Sequence, residues 1–289
     1  MIAQLVASSL ALGATYALMA IGFVLVLNAV GAVNFAHGDW VVAGGFVTVL
    51  LAGLLPVPGV VLLPLVIAVM AVLGLACGAV AYLPLRQRPP TAVFVSTIAV
   101  GIVIQNGLLA AFGAAPRSTP ALLPAGGLDG VVPGLSGQQA ATLIAALVLA
   151  GGLVWLMERT RIGRWLRASA QDPEIARSLG IPVGAMTMLS FAAAAALAGA
   201  AGLMTGHTLF MAPTDGGAFM LKAYIAVTIG GWGRISGAVL GAFVIALFEV
   251  VVAAEVSYVW AEGALYAAVL LVLLVRPQGL LGEAARVRA

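Results

Sequence analysis

The chain has 289 residues, 63% of them apolar and only 8% charged, with a formal net charge of +3. Soluble domains carry about 25% charged residues, so a water-soluble globule is excluded. The basic balance, with a pI near 9.4, does not indicate nucleic acid, because the basic residues stand at the ends of apolar runs, where membrane topology puts them.

In chain order the apolar stretches fall at about 4–28, 40–55, 58–83, 92–113, 138–157, 184–206, 217–233, 236–254 and 257–275. Residues 40–85, 89–116, 130–157 and 178–206 contain no Asp, Glu, Lys or Arg, and a spanning helix needs roughly 20 apolar residues. The runs lack the alternation of a barrel strand, and only helices or closed barrels pair every backbone group inside a bilayer. The expected fold is an all-α polytopic bundle over 1–289, a single transmembrane domain. The second and seventh stretches are short, and are tilted, half-membrane or re-entrant, which gives about eight to nine crossings. The first stretch has no basic leader and no small-residue cleavage site, so it reads as a retained helix.

Arg86 and Arg88 follow the third stretch, and Arg159, Arg161, Arg164, Arg167 and Arg177 follow the fifth. Arg234 follows the seventh, and Arg276, Arg286 and Arg288 follow the ninth. All fall on one side, which the positive-inside rule makes cytoplasmic. Asp129, Asp215, Glu255 and Glu262 fall on the other, with Arg117 and Lys222. The amino terminus is then outside and the carboxyl terminus cytoplasmic, and a re-entrant short stretch would flip the amino terminus. Residues 114–137 form a Pro/Gly-rich outer loop, and residues 158–183 a charged cytoplasmic loop.

The first stretch leads into "VNFAHGDW" (33–40). Asn34 and Asp39 can cap helices, Gly38 permits a sharp turn, and His37 can pair with Asp39 or with a neighbouring helix end. At the cytoplasmic end of the stretch this group need not be deeply buried. It reads as a gate-side turn, with direct solute contact and a proton relay as the other possibilities. Tyr16, Gln105, Asn106 and Thr228 are further polar candidates for a pathway. Glu249, inside an apolar stretch, must face the bundle or a partner, lining the pathway or making a structural hydrogen bond.

Glycines are numerous, 36 in all. Gly74/Gly78, Gly202/Gly206 and Gly237/Gly241 have the i,i+4 spacing that lets helix backbones approach closely. "GGWGRISG" (230–237) separates the seventh and eighth stretches, as a broken helix lining a cavity or as a cytoplasmic loop.

"QDPEIARSLGIPV" (171–183) spells a short capped helix. Asp172 is an N-cap, Pro173 suits the first helical position, and Glu174 suits the first turn. Gly180 suits a left-handed end, and Pro182 blocks continuation. Ile175 and Leu179, four residues apart, form its apolar face. So short a helix is marginal alone. It rests on the membrane, on neighbouring spans, or in a groove of a cytosolic partner. Arg161, Arg164 and Arg167 upstream read as headgroup anchors.

These blocks resemble the LivH-type permeases of ABC transporters for branched-chain amino acids, the family of binding-protein-dependent inner-membrane components. "GATYALMAIGFVLVLNAVGAVNFAHGDW" (13–40), "FVSTIAVGIVIQN" (94–106), "RTRIGRWLRASAQDPEIARSLGI" (159–181), "LKAYIAVTIGGWGRISGAVLGA" (221–242) and "RPQGLLGE" (276–283) carry the resemblance, in order, over nearly the whole chain. It implies an importer subunit in a bacterial inner membrane, working by alternating access. The implied partners are a second, LivM-like permease, two cytosolic ATPases that bind ATP and Mg2+, and a periplasmic binding protein. The 172–179 helix becomes the coupling helix, and a bulky charge at Ala176 or Gly180 is expected to uncouple transport without preventing insertion.

The chain itself has no phosphate loop of the form G-x-x-x-x-G-K-[ST], and its single lysine is followed by alanine. It lacks a nucleophile–base pair and metal-spaced ligands, and His37 and His207 are too far apart to share a metal. Cys77, the one cysteine, reads as a small buried hydrophobe. The runner-up function is an ATP-independent transporter or channel for a small polar solute, which would need buried carboxylates that are scarce here. A membrane-embedded enzyme ranks third.

Overall fold

A computed structural model describes residues 2–124, 135–275 and 279. Asp129, the centre of the 114–137 loop, Arg276, Arg286, Arg288 and the 276–283 motif apart from Gly279 lie outside the described residues.

Among those described, the α-helices are α1 (Ile2–Val30), α2 (His37–Leu54), α3 (Gly59–Cys77), α4 (Pro90–Phe112), α5 (Gly137–Arg159), α6 (Arg161–Gln171), α7 (Pro173–Ser178), α8 (Val183–Leu209), α9 (Gly216–Gly230), α10 (Ile235–Glu255) and α11 (Tyr258–Val275). Seven helices, α1 to α5, α8 and α10, are long and apolar enough to cross a membrane, and α9 and α11 add shorter apolar helices. Each apolar stretch of the sequence becomes one of these nine. No strand forms among the described residues beyond an isolated bridge between Arg117 and Met211. The all-α membrane bundle is therefore observed.

α1 and α8 form the core. They are apolar on every side, as helices surrounded by other helices are. Leu18, Met19 and Ala20 of α1 and Ala194, Ala195 and Ala198 of α8 are fully buried. α1 packs on α10, α8 and α5, while α8 packs on α3, α1 and α2. Lipid is as apolar as leucine, so this association rests on close packing rather than on escape from water. Small residues provide it. A Cβ on Gly202 would strike the Val41 carbonyl, and one on Gly74 the Phe191 carbonyl. Gly237 lies against Gly230, and Gly241 against the Ala226 carbonyl. The expected close approach of backbones is thus observed at Gly74, Gly202, Gly237 and Gly241, whereas Gly78 meets the Met188 side chain and Gly206 the Thr119 side chain.

The chain between α4 and α5 returns across one end of the bundle. The Gly59 and Val60 N–H groups, at the start of α3, donate to the Ala121 and Leu122 carbonyls at 2.8 and 3.0 Å. These are helix-end donors without an intrahelical acceptor, and the loop satisfies them. Thr119 Oγ1 donates to the Leu203 carbonyl of α8 at 2.7 Å, and His207 Nδ1 lies 3.2 Å from the Thr119 carbonyl oxygen. At its start α5 carries a full capping box between Ser136 and Gln139.

Two expectations need correction. Residues 158–183 hold the expected short helix, α7, but the segment before it is not loop: it forms a second helix, α6. Thr160 caps α6 by accepting from the Gly163 N–H at 3.0 Å. Gly163, Leu166 and Ser169 are buried on one side of α6, whereas Arg161, Arg164 and Trp165 are exposed. Arg161 and Arg164 mark the outer face of an amphipathic helix, while Arg167 is half-buried. The second correction concerns residues 31–36, which turn back into the bundle before α2 starts.

Candidate functional site

The α7 helix is built as its sequence specifies. Asp172 Oδ1 accepts from the Glu174 and Ile175 N–H groups, both at 2.9 Å, and Pro173 occupies the first helical position. At the other end Gly180 takes φ +79°. Its N–H donates to the Arg177 carbonyl, and the Ile181 N–H to the Ala176 carbonyl, each at 3.0 Å. This pair of bonds is the Schellman closure. The two apolar residues point outward, Ile175 59% and Leu179 73% exposed, while Ala176 is 2% exposed. A bulky charge at Ala176 would therefore collide with this chain's own bundle, and Ile175 and Leu179 are the apolar side chains that α7 presents outward. Replacing Asp172 by alanine is expected to weaken α7 by about 1 kcal/mol. Hydrogen exchange should quicken at 174–181 while global melting stays constant; unchanged exchange would remove the cap from the account.

The 33–40 stretch lies deeper than its place in the sequence suggests. His37 and Asp39 belong to the first turn of α2, and that turn abuts the middles of other helices. His37 Nε2 donates to the Met19 carbonyl of α1 at 2.8 Å, and the ring is fully buried, edge-on to Phe23 and Trp40. The Phe35 N–H donates to Thr97 Oγ1 of α4 at 3.1 Å. The Asp39 carboxylate fits against Gly101, at the centre of α4, and Gly216, at the start of α9. Asn34 Oδ1 accepts from the Ala36 N–H at 3.1 Å, which shapes the turn. The α2 N-cap position is Ala36, which provides no side-chain bond, and His37 bonds to α1 rather than to Asp39. Sequence proximity to the end of the first apolar stretch misplaces this group, because the chain re-enters the bundle after Val30.

The strongest polar constellation joins residues far apart in sequence. Lys222 of α9 and Glu249 of α10 form an ion pair with Nζ and Oε1 2.7 Å apart. The Tyr16 hydroxyl of α1 donates to Glu249 Oε2 at 2.9 Å and accepts from Lys222 Nζ at 2.9 Å. All three side chains are buried. Glu249 also borders a cavity of about 370 Å3 between α1, α5, α8 and α10, with Ser8, Thr142 and Thr205 on its walls. Glu249 faces the bundle as its apolar surroundings require, and Tyr16 is among the expected polar groups. Lys222 is not the flanking charge that the topology rule suggests. The signal for it in the sequence is that the only lysine lies within an apolar stretch, not at its end.

The other candidates bond locally. Thr228 spends its hydroxyl on the Tyr224 carbonyl of its own helix at 2.7 Å. Asn106 is exposed and donates to the Ile102 carbonyl at 2.8 Å, while Gln105 beside it is half-buried. The 231–234 link between α9 and α10 takes positive φ at Gly231 and Gly233 and is held to α1 by Asn28 Nδ2, which donates to the Gly233 carbonyl at 2.9 Å.

A family model described as "Branched-chain amino acid transport system / permease component" matches residues 5–274. The chain belongs to this permease family. It is 31% identical to the "High-affinity branched-chain amino acid transport system permease protein BraD" of Pseudomonas aeruginosa, over 97% of this chain and 95% of that one. It is 30% identical to the LivH permease protein of Escherichia coli, over 94% and 92% of the two chains. A probable LivH of Methanocaldococcus jannaschii is 28% identical over 80% and 75%. No solved structure matches the chain. The resemblance seen in the five sequence blocks is thus established along the whole length of a transport permease. Its polar groups are a buried ion pair, a re-entrant turn and a capped surface helix.

Proposed function

We propose that this chain is the membrane-spanning permease subunit of an ATP-driven ABC importer, moving branched-chain or related amino acids from a periplasmic binding protein to the cytoplasm by alternating access. It works as one transmembrane domain over 1–289 in a bacterial inner membrane, with α6, α7 and the carboxyl terminus on the cytoplasmic side. Its partners are a LivM-like second permease and two cytosolic ATPases, which bind the ATP and Mg2+.

The observation that carries this reading is α7. A six-residue helix, stapled at both ends and presenting two exposed apolar side chains four residues apart, has the form of an anchor for a partner's groove. It leads directly into α8 through Gly180–Pro182, and α8 is packed on α1, α2 and α3. A displacement of α7 by an ATPase therefore passes into the centre of the bundle. The glycine contacts of α8 with α2 and α3 give smooth faces on which that shift can occur. Solute choice rests with the binding protein, which fits the small number of polar groups in the bundle.

Affinity purification of the chain from native membranes in mild detergent tests the reading. An ATPase with a phosphate loop and a second permease are expected to co-purify. A homo-oligomer free of ATPase would replace this reading with an ATP-independent carrier, in which Asp39 and the Lys222–Glu249 pair become the leading residues.

A further inference from the structure

The cavity that Glu249 borders lies among α1, α5, α8 and α10, toward the helix ends away from α6 and α7. Its walls are mostly apolar, with Leu12 of α1, Met204 of α8 and Val250 of α10 among them. It opens outward at Thr208 and Ala254, which are exposed. Its buried wall carries polar groups. Thr205 of α8 is 3% exposed, and its Oγ1 has no hydrogen-bond partner among the described residues. Two neighbouring hydroxyls on the wall are engaged. Thr15 Oγ1 donates to the Ala11 carbonyl at 2.8 Å, and Ser8 Oγ accepts from Gln139 Nε2 at 2.9 Å. A buried hydroxyl is rarely left unpaired, so the partner of Thr205 comes from what enters the cavity. Glu249 accepts one bond on each oxygen, from Lys222 and from Tyr16. A carboxylate oxygen has two acceptor positions, so Glu249 can accept more.

A volume of about 370 Å3 lies at the lower end of small-molecule pockets, about 300–1,000 Å3. Apolar walls with a few placed polar groups are the usual make-up of such pockets. Here the polar groups describe the head of the ligand. The Thr205 hydroxyl suits an acceptor, and Glu249 suits an N–H donor. One class of small solute carries both beside an apolar body, the aliphatic α-amino acids. We propose, resting on the importer reading, that this cavity is a solute site for one such amino acid. The ammonium donates to Glu249, the carboxylate accepts from Thr205, and the side chain lies among Leu12, Met204 and Val250. With α6 and α7 in the cytoplasm the cavity faces the periplasm, where the binding protein delivers. One hydroxyl and one shared carboxylate hold the solute weakly, so selection stays with the binding protein. Thr205 lies on α8, the helix that follows α7, so a shift of α7 moves one wall of the site.

The test uses the purified complex and photo-leucine, a leucine with a diazirine in its side chain. After irradiation, peptide mass spectrometry locates the label. Label is expected around Leu12, Met204 and Val250, and excess leucine should suppress it. Glycine should suppress it about tenfold less well, for want of an apolar side chain to bury. Thr205→Val keeps the shape but removes the hydroxyl, and should lower the label about tenfold. Ala253→Phe, which fills the cavity from α10, should abolish it. Label confined to other residues overturns the proposal. So does cavity label that leucine does not suppress, or that Thr205→Val leaves unchanged. Equal suppression by glycine overturns the assignment of the side chain to the apolar wall. Should Ala253→Phe fail to assemble, Thr205→Val and the glycine comparison still decide. Failure here leaves the importer reading intact, since co-purification tests that separately. Cavity label in a chain that brings down no ATPase would instead keep the site and remove the importer.

Discussion

Replacing Glu249 by leucine is expected to destabilise the membrane domain by about 3–5 kcal/mol, the cost of leaving one member of a buried ion pair without its partner. Lys222 is 3% exposed and Glu249 2%, so the ammonium left behind is buried. The Tyr16 hydroxyl would lose its acceptor at 2.9 Å while still facing Lys222 Nζ. Replacing both charges at once, Lys222→Met with Glu249→Leu, is expected to recover most of that loss, because a well-packed apolar pair is often as stable as the ion pair it replaces. Tyr16→Phe should cost only about 1 kcal/mol, the net worth of a hydrogen bond. Unfolding in detergent measures all four proteins. If the double variant is as unstable as Glu249→Leu, the pair is not the unit that holds α1, α9 and α10 together. Uptake measured on a stable double variant then separates two roles. Full transport makes the pair structural, and lost transport places it on the solute path beside the cavity it borders.

The double change Ile175→Glu/Leu179→Glu is expected to reduce ATP-driven uptake to background while insertion and melting remain those of the wild type. Both side chains are more than half exposed, so charge there costs the folded chain little. In a groove the same charges are desolvated without partners, at several kcal/mol, and about 1.4 kcal/mol is already tenfold in affinity. The ATPase should therefore be lost from the purified complex. Ala176→Glu provides the contrast: with Ala176 buried, it should lower stability as well as transport. Normal uptake by the double variant would rule out α7 as the ATPase contact.

Local chemistry makes α7 legible in its own thirteen letters, residues 171–183. Asp, Pro and Glu at its start and Gly and Pro at its end each act within a few residues, and no distant contact is needed to predict them. The membrane helices are legible for a related reason, since a run of apolar residues is a property of composition. The depth of His37 and Asp39 is not, because it depends on Met19, Gly101 and Gly216, which reach them only through the return of residues 31–36. Lys222 and Glu249 lie 27 positions apart, and Tyr16 lies 206 positions from Lys222 and 233 from Glu249. Only the packing of α1, α9 and α10 joins them. The amphipathic α6 shows in the spacing of Arg161 and Arg164 only when Gly163 and Leu166 are read as the opposite face.

The re-entrant turn before α2 bears on how the protein is made. A chain inserted from its first residue offers α2 to the membrane before α4, α8 and α9 have been synthesised. The seat of α2 is built largely from those later helices, with Thr97 receiving the Phe35 N–H and Gly216 receiving the Asp39 carboxylate. Biogenesis is therefore out of step with sequence order: α2 reaches its final place only when the second half of the chain has arrived, and a nascent chain stopped short of α9 holds its most polar turn in an unfinished site, open to quality control.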